Sequence, residues 1–132
     1  MEMREATYLI LAALQSGPRH GYGIIQFAVD ASGGRVKLST GTLYTALDRL
    51  AGAGLIEPDH AELVDGRARR YYRLTASGTA ALLAEAVRLA EMSRVVTEAV
   101  RQAGSARKAG SDGSPMNPPR SRPSRRPGVR PA

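Results

Sequence analysis

Between positions 39 and 45 stand Ser39, Thr40, Thr42, Tyr44 and Thr45, five hydroxyl groups within seven residues. Between 67 and 73 stand Arg67, Arg69, Arg70 and Arg73, four guanidinium groups within seven residues. Hydroxyls donate hydrogen bonds to oxygen, and guanidinium does so while carrying a permanent charge. The chemistry they suit is the holding of a polyanion, phosphate oxygens above all, rather than proton transfer or nucleophilic attack. No acid, base and nucleophile set converges elsewhere in the 132 residues, so an enzyme is not expected. With no cysteine there is no disulfide, thiolate metal site or cysteine nucleophile, and the two histidines, His20 and His60, read as turn or surface residues. Neither a metal nor a cofactor is expected.

For the hydroxyls to act together they must share the outer side of a helix. Leu43, Leu47 and Leu50 fall on one face, Gly41, Thr45, Asp48 and Gly52 point nearly the opposite way, and Tyr44 and Arg49 flank them. Ser39 is the natural N-cap. The short side chains near the start of that helix let its backbone approach a groove and aim amides and hydroxyls at phosphates. Gly54-Leu55-Ile56 ends the helix and begins a strand. Asp65-Gly66 supplies a tight reversal, and Arg70 to Thr75 returns with Tyr72 and Leu74 on one side and Arg69, Tyr71 and Arg73 on the other.

Two helices must precede this unit. The first is expected from about Glu2 to Gln15, stopped by Gly17-Pro18. The second spans Gly21 to Ala31 and ends at Ser32-Gly33-Gly34. Gly21-Tyr22-Gly23 opens it; a nucleotide-binding loop would need a further glycine where Gln26 stands. The alternation of Arg35-Val36-Lys37-Leu38 suggests a small strand. Thr75 then caps a last helix to about Ala103, whose stripe of Leu82, Ala86, Leu89, Val96 and Val100 is interrupted by Ser93 and widened by Leu83, Val87 and Ala90. So wide an apolar face in so short a chain predicts a two-fold homodimer joined through that stripe. The fold class is mainly α with a small β-hairpin wing: a winged helix-turn-helix over 1–75 and a long C-terminal dimerisation helix over 76–103.

The net charge of +7 is unevenly spread. From 104 to 132 there are seven basic residues against Asp112 alone, a net +6, leaving only +1 for the other 103 residues. The high isoelectric point therefore says little about the folded part, and the arginines of the hairpin must carry the argument. Residues 104–132 hold six of the eight prolines with almost nothing to bury, so a disordered basic tail is expected. It either adds attraction to phosphates or is a solvated extension. The apolar run from Tyr8 to Leu14 is far shorter than the roughly 20 residues of a membrane helix. No signal-peptide pattern is seen, and the cytoplasm is the expected compartment.

The order of these motifs resembles the PadR family of bacterial transcriptional regulators, over roughly residues 5 to 100. The likeness rests on His20-Gly21-Tyr22-Gly23-Ile24, on Gly41-Thr42-Leu43-Tyr44 with Leu47 and Leu50, and on Gly54-Leu55-Ile56. Gly66-Arg67, Arg69-Arg70-Tyr71-Tyr72-Arg73-Leu74-Thr75 and Gly78 complete it. The resemblance implies a homodimeric, ligand-responsive repressor that binds an inverted-repeat operator in double-stranded DNA. Its third helices would enter successive major grooves and its wings would reach flanking backbone. A small-molecule effector is implied without an identity. Ser39, Thr40, Thr42, Tyr44, Arg67 and Arg69 are implied DNA contacts, to which the residues themselves add Thr45, Arg49 and Arg70. The chain departs from the family at Thr45, often proline, and at Asp48, often basic, which bears on base preference rather than on fold. The alternative is a winged-helix protein-interaction module with only non-specific affinity for DNA.

Overall fold

The computed structural model describes residues 3–112. In chain order the elements are α1 (Glu5–Ala13), β1 (Arg19–His20), α2 (Gly21–Ala31), α3 (Thr40–Gly52), β2 (Ile56–Val64), β3 (Arg67–Leu74) and α4 (Ala76–Asp112). The strands form one antiparallel sheet in the order β1-β3-β2. This is a mainly helical winged helix whose wing is the β2–β3 hairpin. The chain divides into a compact unit up to Arg88 and a second unit from Leu89 onward, whose described residues are all helix.

The core of the first unit is the set of apolar positions read from helical and strand periods. Ile10 and Leu11 of α1, Ile24 of α2, Leu43 and Leu47 of α3 are fully buried, with Leu50, Ile56 and Tyr72 closing around them. Each such side chain contributes about 1.5–3 kcal/mol by leaving water. Ser39 caps α3, its Oγ accepting from the Thr42 amide at 3.1 Å, and Thr75 caps α4, its Oγ1 accepting from the Gly78 amide at 3.0 Å. The hairpin turns on Asp65 and Gly66 with φ of 52° and 76°, the doubly left-handed turn that an Asp-Gly pair favours.

Four expectations need correction. Residues 35–38 form no strand: the Val36 amide donates to Ser32 Oγ at 2.8 Å, and Arg35 turns to the Glu5 carboxylate with contacts of 2.6 and 2.5 Å. The edge of β3 is taken by β1, Arg19 pairing with Tyr72 and His20 with Tyr71. α1 is shorter than expected at both ends. Past Ala13 it tightens, with Leu14 donating to Leu11 and Gln15 to Ala12, and Arg19 Nε bonds the Ala13 carbonyl at 2.6 Å. Finally, α4 continues past Ala103 to Asp112. One glycine, Gly104, costs a helix only about 1 kcal/mol, which the surrounding alanines and basic residues tolerate. The expected disordered tail therefore does not begin at 104, and its remainder, 113–132, lies outside the described residues.

Leu82 also differs from its expected place in the dimer stripe. It is only 9% exposed and belongs to the core of the first unit. Helical spacing had identified an apolar stripe without revealing that α4 spends this position on its own chain.

Candidate nucleic-acid interface

α3 buries Leu43, Ala46, Leu47 and Leu50 and leaves Ser39, Thr40, Gly41, Thr42, Tyr44, Thr45, Asp48 and Arg49 exposed. Ser39 is engaged in capping: besides accepting from the Thr42 amide, its hydroxyl donates to Thr42 Oγ1 at 2.9 Å. Its contribution to a ligand is therefore to fix the helix start, where the first amides lack helical partners. Tyr44 turns to the side. Its hydroxyl lies close to Gly21, where a Cβ would stand 2.7 Å away and would have to displace the ring.

On the wing, the partners that the carboxylates take decide which arginines keep their charge available: Glu62 stands opposite Arg69 but turns to Tyr71. β2 carries Glu57, Asp59 and Glu62 alongside β3. Arg73 is held by Glu57, at 2.9 Å from Nε and 2.7 Å from the terminal nitrogen, and by Asp59 at 3.0 Å. Glu62 accepts from the Tyr71 hydroxyl at 3.0 Å and lies 3.5 Å from His60, whose other nitrogen is 2.5 Å from Asp59. Among the described residues, Arg67, Arg69 and Arg70 have no carboxylate within ion-pair distance. The four-arginine cluster read from the sequence is thus a cluster of three, with the fourth neutralised across the strand pair.

These three line a cleft of about 640 Å³ together with the turn residue Asp65, with Tyr44, and with His20, Gly21 and Tyr22 at the start of α2. The last three were not among the expected site residues. Tyr22 is 72% exposed, and no sequence signal separates an exposed tyrosine at a helix start from a core aromatic. His20 is more than a turn residue. It caps α2, its Nδ1 accepting from the Gly23 amide at 3.2 Å, and its ring meets Tyr71 edge-on at 5.2 Å. Burial and the nearby Arg69 charge push its pKa below the usual histidine value, so the neutral ring that accepts this bond is favoured.

The remaining expected residues divide. Thr42, Thr45 and Arg49 line a second groove against the start of α1, while Ser39 and Thr40 line neither cavity. Among the described residues no group of three or more histidines, cysteines or carboxylates could hold a metal, and no helix is long and apolar enough to cross a membrane. What the surface offers is cation and hydroxyl donors beside an exposed helix, a means of gripping phosphates rather than of transforming a substrate.

The sequence pattern of the transcriptional regulator PadR-like family matches residues 10–84, which contain both α3 and the wing. The chain belongs to this family. A transcriptional regulator of Mycobacterium tuberculosis is 41% identical to it over 78 residues, 59% of this chain and 59% of that protein. The PadR-like chain thus spans less than two thirds of that relative's length. A PadR family transcription regulator from Clostridium difficile shares the fold, with a TM-score of 0.61 at 24% identity over 74% of this chain and 99% of its own. The Bacillus subtilis PadR solved in complex with operator DNA has a TM-score of 0.54 at 26% identity, over 62% of this chain and 46% of its own.

Proposed function

We propose that this PadR-like regulator is a sequence-specific DNA-binding repressor that works in the cytoplasm as a homodimer on an inverted repeat and is released by a small-molecule effector. The observation that carries the reading is the set of three uncompensated wing arginines across a cleft from Tyr44, beside the exposed face of α3. In it, Arg67, Arg69 and Arg70 neutralise backbone phosphates, Tyr44 and Thr42 add hydroxyl contacts, and the face of Gly41 and Asp48 turns to base edges. Asp48 repels phosphate but accepts from a cytosine amino group.

The homodimer is supported by the second unit, whose helix leaves Leu89, Val96 and Val100 at 36, 61 and 67% exposure with seven- and four-residue spacing. With Leu82 in the core, the proposed seam consists of these three and Ala86. Leu89→Glu should convert the dimer to monomer by light scattering; a dimer that persists contradicts this seam. The effector is supported by a cavity of about 380 Å³ in the first unit, where Tyr8, Ala12, Leu82 and Leu83 give a mainly apolar lining suited to a small apolar molecule.

Selection of duplexes from a random library tests the reading, with two-fold symmetric enrichment expected. If a dimer neutralises about eight phosphates, log affinity should fall with log salt at a slope of about −7. Replacing Arg69 and Arg70 by alanine should flatten that slope by about 2–4 and weaken all sequences alike. A preference under ~10³ over random duplex would favour a protein-docking module instead.

A further inference from the structure

We infer that a second phosphate-binding cleft, formed by Arg4 and Thr7 of the N-terminal segment with Arg49, Thr42 and Thr45 of α3, holds the DNA strand on the side of α3 away from the wing. This rests on the DNA-binding reading above and adds to it a site on α1, an element to which that reading gives no contact.

The groove between the start of α1 and the outer side of α3 has a volume of about 460 Å³, with Ile10 and Ala46 as an apolar floor beneath the two arginines. Arg4 and Arg49 are exposed, and among the described residues neither has a carboxylate within ion-pair distance. The nearest carboxylate in sequence, Glu5, is committed to Arg35 by two contacts of 2.6 and 2.5 Å. Two guanidiniums 45 positions apart in the chain thus share one groove with three threonine hydroxyls, all donors suited to a phosphate.

Its placement on the helix gives the groove its meaning. Successive residues turn by about 100°, so Thr45 and Arg49 lie roughly 100–140° around the axis from Tyr44, with Gly41 and Asp48 between. Tyr44 borders the wing cleft, and Thr45 and Arg49 border this one. A helix seated in a major groove about 12 Å wide has a phosphate backbone on either side. The wing cleft takes one backbone and the Arg4–Arg49 cleft takes the other, leaving the face between them toward the bases.

The test uses the full chain and its selected duplex. Arg4→Ala should flatten the salt slope by about 1 per protomer, weaken random and selected duplexes by the same factor, and leave the sequence preference intact. Arg4→Lys should restore the slope, which separates charge from any effect on folding. Scanning the duplex with single neutral methylphosphonates should show parent-protein sensitivity on both strands. Arg4→Ala should erase one sensitive position, and Arg69→Ala a different one on the opposite strand. An Arg4→Ala protein with the slope and methylphosphonate pattern of the parent overturns this cleft while leaving the DNA-binding reading standing. A parent protein with no duplex affinity overturns both.

Discussion

A single methyl group at Gly78 should cost this protein much of its stability, although the same change inside most helices is favourable. A Cβ on Gly78 would lie 1.9 Å from the Leu55 carbonyl oxygen, 2.9 Å from its carbon and 3.0 Å from Leu74 Cδ2. A carbon rests about 3.3–3.6 Å from a carbonyl oxygen, so the first turn of α4 and the start of β2 must part by more than 1 Å. That carbonyl accepts the Thr75 amide at 3.1 Å, and the Thr75 hydroxyl donates to Gly54 at 2.6 Å, so both bonds are strained by the parting. Two weakened hydrogen bonds and an overpacked contact outweigh the ~1 kcal/mol that alanine gains over glycine in a helix, for a net loss of about 2–4 kcal/mol. Thermal unfolding should then fall by roughly 10–25 °C for a domain of this size. Gly52→Ala is the matched control: nothing lies within 4 Å of its Cβ, and it should raise the midpoint by a few degrees at most. Faster amide exchange at Thr75 would locate the damage at the base of the wing. Equal stability of Gly78→Ala and the parent would refute the close approach of α4 to Leu55.

The two histidines should titrate in opposite directions from the ordinary value near 6.5. The hydrogen bond to Asp59 holds His60 above it, and burial, reinforced by Arg69, holds His20 below it. Stability from His60 is complete below the unfolded value and lost as pH rises through the folded one. Stability from His20 is present above the unfolded value and lost as pH falls through its own. Proton NMR of the two rings checks this, and a higher midpoint for His20 than for His60 would contradict it. Arg73→Gln should leave the salt slope of DNA binding close to that of the parent, since Glu57 and Asp59 already neutralise this guanidinium. A loss as large as that from Arg69→Ala would show that Arg73 leaves its partners for phosphate.

In the proposed reading, a hairpin with nearly balanced charge still attracts DNA because its charges are sorted along its length. Glu57, Asp59 and Glu62 gather around Arg73, Tyr71 and His60, His60 stacks on Tyr71 at 4.3 Å, and the fourth carboxylate, Asp65, lies in the turn. The arginines nearer the tip are left to act outward. Total charge would not have separated these groups; the side-chain pairing across the hairpin does. The helical turn also places Asp48 between the residues that border the two proposed phosphate clefts, where it would disfavour phosphate over the helix centre. A groove whose phosphates stay to either side avoids that penalty.

Much of the architecture was legible in the sequence because its causes are local. The leucines at 43, 47 and 50 repeat with the helix, Ser39 and Thr75 sit where a cap is needed, and Asp65-Gly66 matches a turn that few other pairs adopt. The exposed positions of the α3 hydroxyls and of the wing arginines followed from the same periods. Other decisions belong to the tertiary structure. Arg73 meets Glu57 and Asp59 across separations of 16 and 14 residues, Arg35 meets Glu5 across 30, and Arg4 shares a groove with Arg49, far along the chain. Leu82 turns inward, and β1 claims the edge of β3, for the same reason. A period in the sequence says which face a residue occupies, but the energy of a charge or an apolar side chain depends on what the fold brings opposite that face.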